Sequence, residues 1–530
     1  MNCNFIVRAL VMGVLGSGAF VGIATTSNRT DSQPVSRQTP YAEIQCLDAD
    51  TGRGIPLVEL ETVHGLRFVT DNAGRVALHE PDLLDQEIHL SIHAHNYHVP
   101  ADGFGFRGAR ITPRVGQPAL IKLSRSQPAE RLCRLTGTGL FRDSLLLKYD
   151  IPPQSAAPSG NVAGQDSIQA ARYGDKIFCL WGDTLRLAYP LGLYRMAGAT
   201  LPIPNPTDPE SDPADGLAYQ YVTDEKSGFV RAMMPLPERP AGVIWIFGLG
   251  VAPDASGKPR LFGHYSRRKG LDGEYEQGIA VYHDELKIFQ PAYELPLGEV
   301  WRRPSGHPLL HEEDGQKWIY FGSPTPNVRI PAKWEAVIDP AQYEAYTCYD
   351  PQSAGGKWRP LLSSNGEPQW RWQRDLPPVT SKQEAEWVAV GIIKPEFTRY
   401  LPVNVADGME RVQLHSGTVR WNAYRRRWIL IAGQIQGTAS HLGEVWYAEA
   451  KHPTGPFSKA SKVATHDRQT FYNVCHHDWL DKQAGREIHF EGTYTNEFSG
   501  NPHKTARYNY NQVLYRLNLD ARELREARVE

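Results

Sequence analysis

The chain has 530 residues, 57 of them basic and 59 acidic, with a net charge of −2. That length holds two or three domains with a sizeable core, and the balanced charge excludes a dominant nucleic-acid or anionic-membrane partner. With 40 Pro, 47 Gly and few long apolar helical periods, the composition predicts an all-β chain. The 13 Trp and 24 Tyr have two readings, packing in β-rich cores or platforms on which sugar rings stack.

Residues 1–24 read as a secretory signal peptide. Arg8 supplies the positive start, 9–21 the apolar run and Gly22-Ile23-Ala24 a small-residue cleavage site. Gly13, Gly16, Ser17 and Gly18 interrupt a run already short for a membrane anchor. No other stretch has the length or apolarity of a transmembrane helix. The expected location is therefore secreted or periplasmic, with no integral membrane span in the mature chain. Cys3 would leave with the signal; Cys46, Cys133, Cys179, Cys348 and Cys475 are scattered, with no C-x-x-C or zinc spacing. They read as buried small apolar residues, with one disulfide left open.

Residues 25–40 are polar and rich in Ser, Thr, Gln and Pro, which predicts a linker. A compact β unit follows over 41–124, with strands at 42–47, 57–62, 67–70, 75–78, 87–95 and 119–123. Its turns, D-A-D-T-G-R-G at 48–54 and D-N-A-G at 71–74, carry residues suited to positive φ. The pattern D-A-D-T-G-R-G-I-P-L-V…T-D-N-A-G-R-V resembles the transthyretin-like, carboxypeptidase-regulatory-type β-sandwich. That resemblance brings no catalysis with it. His89, His93 and His95 are expected on one strand face, which permits a metal site, but no carboxylate completes a ligand set. A solvated face is the other reading, and no metal or cofactor is expected.

Residues 125–154 read as a connecting segment into a large β region over 155–520, followed by a tail at 521–530. That region opens with G-Q-D-S-I-Q-A-A-R-Y-G-D-K-I-F-C-L-W-G-D-T at 164–184. Two strand-like runs, 168–173 and 176–181, flank the turn Gly174-Asp175. Asp166 lies before the first run and Asp183 after the second. In an antiparallel hairpin those far ends lie side by side, so the two carboxylates become neighbours. Paired carboxylates are what acid/base or nucleophilic chemistry on a glycosidic bond requires. Turn capping by both aspartates is the other reading.

The strand–turn–strand motif recurs at 251–265, 307–323, 418–434 and 476–493, each time with an apolar run after the turn. Five widely and unevenly spaced hairpins predict a five-bladed β-propeller, each blade completed by outer strands. Residues 512–519 are expected to close the ring by pairing with an earlier blade. A large jelly roll or two packed sandwiches is the alternative architecture.

The stretch from about 160 to 519 resembles the five-bladed propeller glycosidases, and among them the domain-of-unknown-function 4185 family, which includes bacterial endo-D-arabinanases. The matching residues are Gly164–Ser167, Trp181-Gly182-Asp183-Thr184 and the phrase G-E-V-W-Y-A-E followed by P-T-G-P-F at 443–457. Glu449 and Ala450 depart from the small polar residues usual in that last phrase. The resemblance implies that substrate sits at one end of a central funnel, with Asp166 and Asp183 as the matching acids.

The densest polar stretch is F-Y-N-V-C-H-H-D-W-L-D, H-F-E-G-T-Y-T-N-E-F-S-G-N-P and A-R-Y-N-Y-N-Q, all C-terminal. Glu491, in an apolar strand end, is expected as a raised-pKa acid, with Glu444 as its alternative. Trp181, His476, His477, Tyr494, Arg507 and Tyr508 are expected to bind substrate. The leading reading is an exported hydrolase cleaving a furanoside- or uronate-containing polysaccharide or oligosaccharide, with Asp166 and Asp183 as nucleophile or base and as assisting carboxylate, and Glu491 as general acid. Two alternatives remain: a lyase using His477, Tyr494, Arg507 and Tyr508 on a uronate, and a non-catalytic glycan-binding protein.

Overall fold

The computed structural model describes residues 39–156, 159–205, 212–353, 358–408 and 410–530. The signal peptide and most of the linker expected at 25–40 lie outside the described residues. Helix is confined among the described residues to three short α-helices, the longest being Ser381–Ala389, and to short 3-10 segments. Thr380 caps that longest helix, its side chain accepting from the Gln383 N–H. No helix among the described residues is long and apolar enough to cross a membrane.

The N-terminal unit is two four-stranded sheets. One has the order Arg75–Leu78, Ala42–Asp48, Ala119–Arg125, Tyr97–His98; the other runs Arg67–Val69, Glu59–Thr62, Ile88–His93, Gly108–Ile111. Strict alternation sorts their faces: in I-H-L-S-I-H, Leu90 and Ile92 are buried while Ser91 and His93 are exposed. Leu90 and Ile92 join Ile44, Cys46, Leu60, Ile121 and Leu123 in one apolar cluster between the sheets. The 71–74 turn forms as predicted, with Gly74 at φ +71° and Asp71 Oδ1 accepting from the backbone N–H groups of Ala73 and Arg75. Tyr97–His98 and Gly108–Ile111 are additional strands.

Only two of the three histidines share a strand face: His89, half-buried, and His93, exposed, alternate with Leu90 and Ile92. His95 lies beyond the strand, its ring 4.7 Å from that of His93 but buried against His466 and Tyr494. Among the described residues no group of three or more His, Cys, Asp or Glu is arranged to hold a metal ion.

Five antiparallel meanders follow. The first joins Gln169–Tyr173, Lys176–Trp181, Ala197–Pro202 and Gln220–Tyr221; the second Val243–Pro253, Pro259–Arg268, Glu274–His283 and Ile288–Leu295. The third runs Leu309–Glu313, Gln316–Phe321, Val328–Pro331, Glu344–Thr347 and Arg371–Gln373. In the fourth, Leu414–Asn422, Arg427–Gln434, Val445–Ala450 and Lys459–Ala464 carry Val403–Asn404 in parallel on the outer edge. The fifth is Thr470–His476, Glu487–Thr495 and Asn511–Asn518, with Glu130–Arg134 as its fourth strand.

That last pairing revises two expectations. The 125–154 segment is not merely a connection, because Glu130–Arg134 is fully buried and pairs Cys133 with Leu514. Residues 512–519 do not reach an earlier sheet; they receive this strand from the front of the chain, which covers their open edge.

Each meander shares an apolar cluster with the next. Phe178 and Leu180 meet Ile244 and Ile246, Phe262 and Ile279 meet Ile319 and Phe321, and Tyr320 meets Val419 and Leu430. Ile429 and Ile431 meet Phe471 and Phe490. The fifth meander returns to the first, where Cys475 and Leu514 pack with Ile177, Cys179 and Trp181. The N-terminal unit docks on the fifth meander through polar pairs as well as packing. The Asn72 amide donates to Arg134 O at 2.9 Å and accepts from Arg134 N–H at 2.9 Å, and Arg53 donates to Leu132 O and Ala214 O.

Candidate active site

The opening hairpin forms with the predicted register, Gln169 facing Leu180 and Tyr173 facing Lys176. Its far ends therefore meet, and Asp183 N–H donates to Asp166 Oδ1 at 2.8 Å. Gly182 permits this approach, since a Cβ there would stand 2.3 Å from Asp166 Oδ1.

The Asp166 carboxyl sits in a cradle of hydroxyls. Tyr472 OH donates to Oδ2 at 2.8 Å, and the Tyr510 hydroxyl also bonds to it. Burial, then the charge of Asp183, pushes the Asp166 carboxyl up to about 7 against an ordinary 3.8, outweighing the tyrosine bonds that favour the anion. Asp183 accepts from Trp245 Nε1 at 3.1 Å. Burial raises it as well, with the Trp245 bond opposing and the charge of Glu497 assisting.

Left-handed backbone also occurs at this place. Ser167, Asn473 and Tyr510 all adopt left-handed φ, at +57°, +52° and +65°, and non-glycine residues held there cluster at functional sites. Two of them are pinned to each other and to the fifth meander: Ser167 N–H donates to Thr493 Oγ1 at 3.0 Å, and Asn473 Nδ2 donates to Ser167 Oγ at 2.5 Å. Beneath them, Gln512 Nε2 donates to Gln165 O and Thr493 Oγ1, and Tyr221 OH donates to Gln165 Oε1. This buried network fixes the ends of the first and fifth meanders relative to each other. Phe498, 56% exposed, lies edge-on to Tyr472 and offers an apolar face at the rim.

The fifth meander thus contributes to the aspartate pair, but through Tyr472, Asn473 and Tyr510 rather than the residues expected. Glu491 is fully buried, and His477 Nε2 lies 2.5 Å from its Oε1. His477 Nδ1 in turn faces Cys475 Sγ at 3.6 Å, which also faces His307 Nδ1 at 3.5 Å. Against its burial, His477 is raised to about 10 by Cys475 and Glu491. Burial raises Glu491 while His477 lowers it. Its expected role as general acid is corrected: Glu491 is an internal ion-pair partner without solvent access. Glu444 is likewise buried, pairing with Lys462 at 2.7 Å and accepting from Thr465 Oγ1.

Most of the expected binding residues are also internal. Trp181 is fully buried between Tyr219 and Tyr221, and His476 is fully buried with Nε2 on Asp481 at 3.0 Å. Tyr494 is buried with its hydroxyl on Thr505 Oγ1, and Tyr508 is buried under the Arg134 guanidinium. None of these can stack on a sugar. Arg507 is exposed but stands beside Gly139 and near the charge of Asp143. Of the four residues of the lyase reading, His477, Tyr494 and Tyr508 are therefore buried, and Arg507 is exposed.

The residues that were missed carried faint signals. Tyr472-Asn473 opens the polar run that continues to His477, and Tyr510 lies in A-R-Y-N-Y-N-Q. Trp245 and Phe247 alternate with buried Ile244 and Ile246, a pattern that reads as an ordinary half-buried strand.

No family model and no curated protein matches the chain. Solved structures similar to it include the α-L-arabinofuranosidase Arb93A from Fusarium graminearum, 12% identical, with 74% of this chain and 99% of that one covered and a TM-score of 0.33. The arabinanase Arb43A from Bacillus subtilis is 11% identical over 67% of this chain and 96% of that one, with a TM-score of 0.29. A GH43_1 enzyme from Xanthomonas citri complexed with xylotriose is 12% identical over 67% and 87%, with a TM-score of 0.31.

Proposed function

We propose that this chain is a glycoside hydrolase whose reacting groups are Asp166 and Asp183. The observation that carries the reading is the pair itself: two aspartates brought together at hairpin ends, Asp166 accepting from the Asp183 backbone N–H, feeling the charge of Asp183 and held by tyrosine hydroxyls. We infer further that the five meanders, joined by five shared cores, are the blades of a propeller. The pair then lies where the first and fifth blades adjoin.

The environment divides the roles. Asp166, raised to about 7, retains its proton in mildly acidic solution and acts as the general acid toward the leaving oxygen. Tyrosine hydroxyls accept as readily as they donate, so the same cradle serves the neutral acid. Asp183, held by the Trp245 N–H, is the carboxylate that attacks the anomeric carbon or activates water. The proton passes from Asp166 to the departing sugar as the glycosidic C–O bond breaks. Loss of turnover in both Asp166→Asn and Asp183→Asn, with fold retained, tests the assignment; turnover in either variant within tenfold of the unaltered protein would overturn it.

A further inference from the structure

Next to the aspartate pair, the first strand of the second meander presents Trp245 and Phe247 on one face. Trp245 binds Asp183 through its indole N–H. In register, Trp245 faces Ser266, whose hydroxyl donates to Glu274. Two cations surround that carboxylate: Arg268 Nη1 at 3.7 Å and Arg303 Nη2 at 3.4 Å. Their guanidinium carbons sit 5.9 Å from the Trp245 ring centre and 5.4 Å from that of Phe247. A register shift between Arg267 and Arg268 ends the regular ladder there, and such irregularities re-aim side chains beside sites.

The charge at this wall does not balance. Two guanidinium groups share one carboxylate, and the Nη1 of each has no hydrogen-bond acceptor among the described residues. Arg303 is anchored by Nε on Gln277 Oε1 at 2.7 Å, and Arg268 by Nε on Gly270 O and Nη2 on Leu271 O. Both are thus pre-positioned, with side chains only 10% and 23% exposed. A fixed guanidinium with spare donors, lying on an aromatic face, matches a planar carboxylate carried by a ring.

We propose that Arg303 and Arg268 form a subsite for the carboxylate of a uronic acid residue, whose ring lies along Trp245 and Phe247 next to Asp183. The inference rests on the reading that sugar is bound at the Asp166–Asp183 pair, and it makes the substrate an acidic glycan. Glu274 holds the two arginines together in the free protein and opposes the incoming anion. That opposition sets a variant with the opposite sign.

Calorimetric titration with trimeric galacturonate and glucuronate, each against its methyl ester, tests the subsite, since the ester keeps the ring and removes the charge. One of the acids is expected to bind at least tenfold more tightly than its ester at low ionic strength, with the ratio falling as salt is added. Arg303→Gln is expected to bring that ratio within threefold of unity, and Glu274→Gln to raise it. If Arg303→Gln does not fold, Glu274→Gln decides alone. Equal binding of acid and ester, no binding of either acid, or an unchanged ratio in Glu274→Gln overturns the proposal. Preference for the acid without cleavage of any glycan leaves the subsite and removes the hydrolase reading. Cleavage that depends on Asp183 without preference for the acid does the reverse.

Discussion

Replacing Asp166 by Asn tests the physics of the site independently of any substrate. The amide keeps the shape of the carboxyl: its oxygen can accept from Asp183 N–H and its NH2 can donate to the Tyr472 oxygen. It cannot ionise. The folded carboxyl is raised from 3.8 to about 7, a difference worth roughly 4 kcal/mol, which its partial solvent exposure reduces to about 2 kcal/mol. Because the folded state favours the proton, the contribution of this group is full below pH 4 and is lost as pH rises through 7. The unaltered protein should therefore lose about 2 kcal/mol relative to Asp166→Asn between pH 4 and pH 8. Urea midpoints of both proteins at matched slopes, measured at several pH values, give the difference. A difference that stays flat across that range, whatever its absolute size, would refute the half-buried, proton-holding carboxyl.

Other consequences follow from the same geometry. Trp245→Phe removes the indole donor to Asp183 and should lower kcat by about thirtyfold with little change in stability, the scale of one hydrogen bond to a charged group. Glu491→Gln breaks a buried pair with His477 and should destabilise by about 3 kcal/mol, while turnover of the folded fraction stays within tenfold; a loss as deep as that of Asp183→Asn would restore Glu491 as a reacting group. Asn72→Ala removes both hydrogen bonds to Arg134 and should cost about 2 kcal/mol, read as a lower melting temperature. The five described cysteines are all buried and unpaired, so thiol reagents should label them only on unfolding.

Local rules carried the strands well because each hairpin announces itself. Gly174-Asp175 flanked by apolar runs requires a turn, and once the hairpin closes, Asp166 and Asp183 must be neighbours. The six strands expected between 42 and 123 lie within a few residues of those observed, since alternation and turn chemistry act over short range. The failures are long-range. Glu130–Arg134 is a five-residue run whose strand partner lies some 380 positions away in the chain, and nothing within the run names it. Polar residues such as His476, His477, Glu491 and Tyr494 read as functional because polarity in a strand is costly unless used. Here their cost is offset by one another: His477 with Glu491, His476 with Asp481, Tyr494 with Thr505. The tyrosines that do reach Asp166 become recognisable only when the first and fifth meanders are placed side by side.

The measurement closest to the central claim is product analysis on a panel of neutral and acidic polysaccharides, run with the unaltered protein, Asp166→Asn and Asp183→Asn. New reducing ends without new ultraviolet absorbance, abolished in both variants, are the predicted result. Products absorbing in the ultraviolet, which carry the double bond of an elimination, would contradict hydrolysis by the aspartate pair, as would reducing ends released equally by all three proteins.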